Sequence, residues 1–296
     1  MENIRTAPTW IALAPIVFVV LWATGFVVAG LSAGHVEPLT FLAIRFPIAG
    51  VIFLAIAFYQ RAVWPVPRLA AHAMVAGAML HAGYLAPVYW AVAHGMPAGV
   101  SALIVGLQPL MTAFLATLMV GEKITSRHWL GLAVGIAGVG LVVAPKLTLE
   151  TIGGITPLTT VMCMVGAFSV SLGTVYQKKF ATGLDLASGG VWQYVGASTV
   201  VLAGAALFED FGFDGSSSAW LALGWSVIVL SLGAITLLMI LIRHGEVSRV
   251  SSLIYLVPAV AALSTFVIFG ETLAPLQILG MAVCAGAVFI VTRKAV

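Results

Sequence analysis

The chain has 296 residues, of which 61% are hydrophobic and 8% are charged, and its formal net charge is +3 at pH 7. A soluble globular domain carries about 25% charged residues. This composition, together with a mean hydropathy of +1.14, excludes a soluble protein and indicates an integral membrane protein.

The sequence divides into apolar runs of the length that a bilayer requires. A hydrocarbon core about 30 Å thick needs about 20 apolar residues in a helix. Ten such runs are present, at approximately 9–30, 38–59, 69–93, 97–120, 126–144, 153–177, 187–208, 219–242, 248–269 and 272–292. The first run exceeds the 7–15 apolar residues of a signal peptide, so we interpret it as a retained span. The predicted fold is an all-α integral membrane protein with ten transmembrane helices.

The charged residues of the loops predict the orientation in the membrane. With the N-terminus in the cytoplasm, the cytoplasmic side holds Arg5, Arg61, Arg68, Lys123, Arg127, Lys178, Lys179, Arg243, Arg249, Arg293 and Lys294. The external side holds Lys146, and acidic residues crowd that side at Glu37, Glu150, Glu209, Asp210, Asp214 and Glu271. This bias follows the positive-inside rule and places both termini in the cytoplasm. The pI near 9.0 then reflects orientation, and no nucleic acid partner is needed to explain it.

Two stretches of the sequence repeat each other. His94–Lys123 and His244–Thr272 both open with His-Gly and continue through Val-Ser-x-Leu-Ile at a separation of 150 positions. Both then contain a proline, Pro109 and Pro258, and both finish on Gly-Glu at a separation of 149. The chain is therefore predicted to be an internal duplication.

The duplication gives two five-helix repeats, 1–148 and 149–296. Because each repeat has an odd number of spans, the second enters the membrane from the opposite face, and the repeats are predicted to be inverted. Many secondary transporters are built in this way, with a substrate site near the midplane between the repeats and alternating access.

The first span contains two aromatic residues that share a helix face. Trp22 and Phe26 are four positions apart, which places them on one side of a helix. This face either lines a cavity or packs against neighbouring helices.

The second span contains a charge that is not at a loop. Arg45 lies seven residues after Pro38, or about 10 Å into the membrane by helix rise. An intramembrane arginine usually faces a bundle interior or a watery cavity. Three roles are open: snorkelling to the surface, a tie to helix carbonyls, or an anchor for a substrate carboxylate. The matching place in the second repeat, 148 residues on, is Gln193, so the charge is not duplicated.

The third span contains His81, Tyr84 and Pro87. His81 is either packed against a neighbouring helix or part of a proton site. Tyr84 is predicted to line a cavity, because its hydroxyl needs a partner and its ring is apolar. Pro87 is predicted to interrupt the helix, which frees backbone groups for neighbours or water.

The fourth and ninth spans carry matching prolines with polar neighbours. Gln108 precedes Pro109, and Ser251 and Tyr255 precede Pro258. A proline inside a helix removes a hydrogen bond and kinks it. Interruptions at matching places in inverted repeats indicate a binding site. The alternative for the polar residues is ordinary hydrogen bonding between helices.

In the seventh span, Trp192 either belongs to the interfacial belt or, together with Gln193 and Tyr194, faces a site open to the cytoplasm. Cys163 and Cys284 lie in apolar spans and are predicted to act as small hydrophobic residues. The sequence therefore predicts no catalytic residue, no metal site and no cofactor.

The ten-span duplicated plan, the proline followed twelve residues later by Gly-Glu in both halves, and Arg45 resemble the EamA-type branch of the drug/metabolite transporter superfamily. Within it, the chain is similar to bacterial exporters of aromatic and other hydrophobic amino acids. The resemblance implies a multi-pass protein of the bacterial inner membrane with a central cavity formed by the first four spans of each half. The implied partners are a small-molecule substrate and the bilayer, with no obligate protein partner.

Three functions were compared. An exporter of aromatic or hydrophobic amino acids accounts for Arg45 and for the aromatic residues, and facilitated diffusion is expected because no Asp or Glu lies mid-span. A multidrug or nucleoside and purine exporter, with proton coupling, is the alternative. A membrane-embedded enzyme would need a His, Asp and Glu constellation at mid-membrane, which the sequence lacks.

Overall fold

The structure is a computed structural model that describes residues 9–121, 126–147, 155–234, 237, 257–270 and 274–292. The described residues form helices and contain no β-strand. The helices are α1 (Thr9–Ser32), α2 (Pro38–Tyr59), α3 (Pro67–Ala93), α4 (Ala98–Val120), α5 (Ser126–Leu147), α6 (Pro157–Phe180), α7 (Leu186–Phe208), α8 (Ser217–Ala234), α9 (Val257–Phe269) and α10 (Pro275–Thr292). The predicted all-α architecture is confirmed.

Six of the described helices, α2, α3, α4, α6, α7 and α8, are long and apolar enough to cross a membrane. Shorter apolar helical stretches lie at Ile16–Ser32, Trp129–Gly138 and Ile278–Ala287. The predicted membrane class agrees with these helices. The count of ten spans and the cytoplasmic termini stay predictions, since 1–8 and 293–296 lie outside the described ranges.

Several helices begin where the sequence provides a local start signal. Pro38 and Pro67 occupy the first turns of α2 and α3, where a missing N–H costs no helical hydrogen bond. Thr156 and Thr159 form a reciprocal capping box at α6. Asp185 accepts hydrogen bonds from two N–H groups in the first turn of α7. These starts fix the level at which each helix carries its polar side chains.

The sequence repeat is also a repeat of local backbone geometry. Left-handed φ values recur at equivalent positions in Gly34 and Gly183, Arg61 and Phe211, and Gly121 and Gly270. The members of each pair are 149 or 150 positions apart. Gly121 directly follows α4 and Gly270 directly follows α9, so each Gly-Glu motif supplies the glycine that ends a helix in the left-handed conformation.

The interruption next to a matching proline is described in α4. α4 stops being helical at Gly106 and Leu107 and resumes at Gln108, one residue before Pro109. The described part of α9 begins at Val257, one residue before Pro258. The helical segments Gln108–Val120 and Val257–Phe269 each contain 13 residues.

The interruption predicted at Pro87 lies elsewhere in α3. The α-helix continues through Pro87, and the departure from α-helical geometry is a π-helical turn at Ala78–Ala82. A second π-helical stretch, Ser226–Ala234, lies at the equivalent place in α8. A π-turn shifts the helical register by an extra residue and often occurs at functional sites.

α2 and α7 pack against each other along their length and run antiparallel. The backbone N–H of Leu39, in the first turn of α2, donates to Glu209 at the end of α7 at 2.8 Å. At the opposite end of the pair, Ser188 in the first turn of α7 donates to the carbonyl of Val63, just after α2, at 2.7 Å. The pair is therefore tied together at both ends.

α3 crosses α7 at two glycines. A Cβ on Gly77 would lie 2.1 Å from the carbonyl oxygen of Gln193, and a Cβ on Gly196 would lie 2.1 Å from that of Met74. Both distances are too short for a side chain. Backbone contact at these two places holds α3 against α7.

The segment at the start of α2 and the segment after α7 are joined by two carboxylates, each of which accepts hydrogen bonds from the other segment. Glu209 accepts hydrogen bonds from the N–H and the hydroxyl of Thr40 at 2.6 and 2.9 Å. Glu37 accepts from the N–H groups of Asp210 and Gly212 at 3.1 and 2.7 Å. Glu209 lies at the start of α2, where the helix dipole favours a negative charge. We call the paired loops, residues 35–40 and 209–214, the carboxylate clamp.

An ion pair extends the carboxylate clamp. His35 Nδ1 lies 2.6 Å from Asp214 Oδ2. The N–H of Ser216 and then the His35 ring lower the pKa of Asp214 from 3.8 to about 2. A lowered pKa in the folded state means that this contact supports the loops above pH 3.8 and loses that effect as the pH falls towards 2.

Replacement of Glu209 by Ala is expected to destabilise the protein through the carboxylate clamp. The variant loses the acceptor at the start of α2, which costs about 1 kcal/mol for a helix cap. The measurement is the thermal unfolding midpoint in detergent, which should fall. Asp210→Ala is the control, because Asp210 contributes its backbone N–H to the clamp. An equal fall in both variants would contradict a capping role for Glu209.

Candidate functional site

Arg45 lies inside the helical bundle, with 6% of its surface exposed. Its Nε and Nη2 atoms donate to the hydroxyl of Ser231 on α8, both at 3.3 Å. Its Nη1 atom donates to the hydroxyl of Tyr89 on α3 at 3.5 Å. The guanidinium carbon lies 5.9 Å from the centre of the Phe46 ring. Burial on this scale does not fit the alternative that Arg45 snorkels to the surface.

The hydrogen bonds leave one edge of the guanidinium available. A guanidinium carries five N–H donors. Ser231 and Tyr89 receive three of them, so within the described part of the chain Nη1 and Nη2 each have one further N–H without an acceptor. Among the described residues, Arg45 has no carboxylate within ion-pairing distance. A buried cation normally has a paired anion, and the free edge has the geometry that binds a carboxylate in a bidentate manner.

A second polar pair lies beside Arg45. His81 Nε2 on α3 lies 3.4 Å from the side-chain oxygen of Gln193 on α7. The His81 ring stacks on Tyr194, with ring centres 4.8 Å apart and an angle of 6° between the planes. The Tyr194 hydroxyl interacts with the side chain of Ser231, which also accepts from Arg45.

Phe46 joins the two polar pairs. Its ring contacts the His81 ring at 6.1 Å and the Tyr194 ring at 5.9 Å, and Arg45 lies against it. The structure thus brings together three of the predicted site residues, Arg45, His81 and Gln193. We call the full set the central cluster: Arg45, Phe46, His81, Tyr89, Gln193, Tyr194 and Ser231.

The aromatic residues of the predicted site differ in burial and in what they contact. Trp22 is half-buried and packs against Phe18 at 5.3 Å, while Phe26 is buried in the main hydrophobic core, so packing is the interpretation that fits Phe26. Tyr84 is 8% exposed and belongs to the same core. Trp192 is half-buried, and its indole N–H has no hydrogen-bond partner among the described residues.

The predicted residues around the two matching prolines are only partly described. Gln108 is half-buried at the interruption of α4, and its backbone carbonyl accepts from Ser171 of α6 at 2.9 Å. Pro258 lies in the first turn of the described part of α9. Ser251 and Tyr255 lie outside the described residues.

Sequence reasoning missed Ser231, Tyr89 and Phe46, whereas Tyr194 was grouped with Gln193 in a possible site facing the cytoplasm. One signal could have found Ser231, because it follows His81 by 150 positions, the spacing of the repeat. The others are ordinary apolar-span residues, and only the packing of α2, α3 and α7 shows that they meet. Within the described residues, no three His, Cys, Asp or Glu side chains are grouped so that they could hold a metal ion.

Comparison with known proteins places the chain in a family. The model of the EamA-like transporter family matches residues 9–144 and again residues 158–293. A solved crystal structure resembles this fold with a TM-score of 0.66 and 21% sequence identity over 96% of both chains.

Curated relatives match over nearly the full length. The uncharacterized inner membrane transporter YedA of Escherichia coli is 26% identical over 92% of this chain and 87% of its own length. A probable amino-acid metabolite efflux pump of Salmonella typhimurium is 27% identical over 92% of this chain and 91% of its own. A probable terminal-alkyne amino-acid exporter of Streptantibioticus cattleyicolor is 30% identical over 98% and 92%. The chain therefore belongs to the EamA-like transporter family and is an inner-membrane transporter.

Proposed function

We propose that this transporter exports small metabolites, with aromatic and hydrophobic amino acids and their analogues as the preferred substrates. The observation that carries the proposal is Arg45, a buried guanidinium with a free bidentate edge and no carboxylate partner among the described residues. A substrate carboxylate would supply the missing anion. Cationic drugs and uncharged bases would leave it unpaired, which argues against the multidrug and nucleoside alternative.

The surroundings of Arg45 support a substrate with an apolar side chain. Phe46 and Tyr194 present aromatic rings beside the guanidinium, and His81 adds a third flat surface. Apolar surface with a few convergent polar groups is typical of small-molecule sites. His81 and Gln193 are half-buried, and their polar atoms face each other within the central cluster.

We propose that the two halves form inverted repeats, an arrangement on which many alternating-access transporters are built. α2 and α7 are equivalent helices of the repeats, and they run antiparallel. In repeats of the same orientation they would run parallel. The packing follows the same symmetry. α1 packs on α8 and α9, and α6, the equivalent of α1, packs on α3 and α4, the equivalents of α8 and α9. A site between such halves can open to either side in turn.

Transport is proposed to be facilitated diffusion. Of the described acidic residues, Glu37, Glu209 and Asp214 are engaged in the carboxylate clamp, and Asp185 caps the start of α7. None of them is placed to carry a proton through the central cluster.

Counterflow in proteoliposomes tests this function. Vesicles loaded with unlabelled L-phenylalanine should take up labelled phenylalanine, and tryptophan and methionine should compete, whereas a cationic dye should not. Imposing or collapsing a pH gradient should leave the initial rate unchanged. Uptake of the dye without uptake of amino acids would overturn the substrate assignment, and strict dependence on the gradient would overturn facilitated diffusion.

A further inference from the structure

The two polar pairs of the central cluster occupy equivalent places in the two repeats. Arg45 is the eighth residue of α2, and Gln193 is the eighth residue of α7. Ser231 follows His81 by 150 positions, and both lie in the π-helical turns of α8 and α3. The contact between Arg45 and Ser231 therefore has a counterpart in the contact between Gln193 and His81.

The two pairs lie at different levels along the α2 and α7 helices. A Cβ on Gly50 would lie 3.3 Å from the Cβ of Tyr194, so Gln193 and Tyr194 are level with the part of α2 near Gly50. Gly50 is five residues beyond Arg45, which corresponds to a rise of roughly 7.5 Å. Arg45 is thus nearer the Pro38 end of α2, and Gln193 is nearer the other face.

The pairs also differ in charge. Arg45 with Ser231 offers a fixed positive charge, while Gln193 with His81 offers an amide and an imidazole. A carboxylate buried beside the second pair would lack a charged partner, and burying an unpaired charge is costly. The Tyr194 ring, stacked on His81, provides an apolar wall between the two levels.

We propose that His81 and Gln193 form a second, neutral half-site that receives the end of the substrate remote from its carboxylate. The substrate then lies lengthwise between the two levels, with its carboxylate at Arg45, and Gln193 determines specificity by excluding a second anionic group. This inference rests on the proposed binding of a carboxylate at Arg45.

The test compares two ligands that differ at the remote end only. L-phenylalanine has a bare ring edge there, and 4-carboxy-L-phenylalanine has a second carboxylate. The natural protein is expected to bind phenylalanine at least 10-fold more tightly. Gln193→Arg places a guanidinium at the position of the second repeat that corresponds to Arg45. This variant should prefer 4-carboxy-L-phenylalanine, since a charge-assisted hydrogen bond corresponds to about 10- to 100-fold in affinity. The readout is equilibrium binding to purified protein in detergent.

Two further variants make the result specific. Gln177→Arg adds an arginine to a half-buried position on α6, outside the central cluster, and should leave the preference for phenylalanine unchanged. The double variant Arg45→Gln with Gln193→Arg keeps a single arginine in the central cluster. It can therefore be tested even if the two arginines of the Gln193→Arg single variant prevent folding. This double variant should bind phenylalanine within about 10-fold of the natural protein, whereas Arg45→Gln alone should not.

The outcomes separate the two proposals. If the natural protein binds neither ligand, the proposed function fails and this inference fails with it. If the natural protein binds phenylalanine but folded Gln193→Arg keeps the same preference, and the double variant binds no better than Arg45→Gln, the second half-site is wrong while the role of Arg45 stands. A reversal by Gln177→Arg as well would also overturn the assignment to Gln193.

Discussion

Replacement of Arg45 by Gln is expected to reduce amino-acid binding by about 10- to 100-fold, the effect of losing a charge-assisted hydrogen bond to the carboxylate. Arg45→Lys should retain the positive charge and lose the planar donor geometry of the guanidinium. Its affinity should therefore lie between those of the natural protein and Arg45→Gln. The measurement is the dissociation constant for L-phenylalanine, with counterflow in parallel. Arg61→Gln, at an exposed arginine just after α2, is the matched control and should leave binding unchanged.

The stability of the Arg45 variant distinguishes a binding role from a structural one. Because the buried guanidinium has no carboxylate partner among the described residues, its removal is not expected to lower the unfolding midpoint of the ligand-free protein. If Arg45→Gln binds phenylalanine as well as the natural protein does, or if it fails to fold while Arg61→Gln folds, Arg45 is a structural tie and the carboxylate anchor is wrong.

Replacement of Gly196 by Ala adds a single methyl group and is expected to be strongly destabilising. The new Cβ would overlap the carbonyl of Met74, so α3 and α7 must move apart. Overpacking of this kind costs about 1–3 kcal/mol or more. Since Gln193 and His81 are carried by the same two helices, phenylalanine binding should weaken together with stability.

Gly224→Ala is the matched control for this change. Gly224 is a helical glycine of α8 with no atom within 4 Å of an added Cβ, so alanine there should be neutral or stabilising by about 0.5–1 kcal/mol. Thermal unfolding in detergent measures both variants. Equal stability of Gly196→Ala and Gly224→Ala would show that the backbone contact between α3 and α7 is not as close as described.

The features that the sequence predicted are those with a local physical cause. The Gly-Glu motifs end helices because glycine alone adopts the left-handed conformation without strain, and this is what Gly121 and Gly270 do. Arg45 was identifiable because a charge is conspicuous in an apolar run. Its partner Ser231 was not, because the choice between many serines depends on which helices pack together.

Other features depend on packing that no short pattern specifies. The π-helical turn at Ala78–Ala82 lies five residues before Pro87, the residue expected to interrupt the helix. Phe26 shares a face with Trp22 as predicted, yet it packs in the core because α1 lies against several helices. The carboxylate clamp joins Glu37 and Glu209, which are distant in sequence and meet through the antiparallel pairing of α2 and α7.

The proposed transport mechanism and the two half-sites require that the second half is inverted with respect to the first, because the inversion sets Arg45 and Gln193 at opposing levels. Gln60 and Asp210 are equivalent exposed residues, 150 positions apart, just after α2 and α7. Single cysteines at these two positions, in a protein whose Cys163 and Cys284 are replaced by Ala, can be labelled in intact cells with a membrane-impermeant thiol reagent. Inverted repeats predict that Asp210→Cys is labelled from outside and that Gln60→Cys is labelled only after the membrane is permeabilised. Labelling of both cysteines from the same side would contradict the inversion.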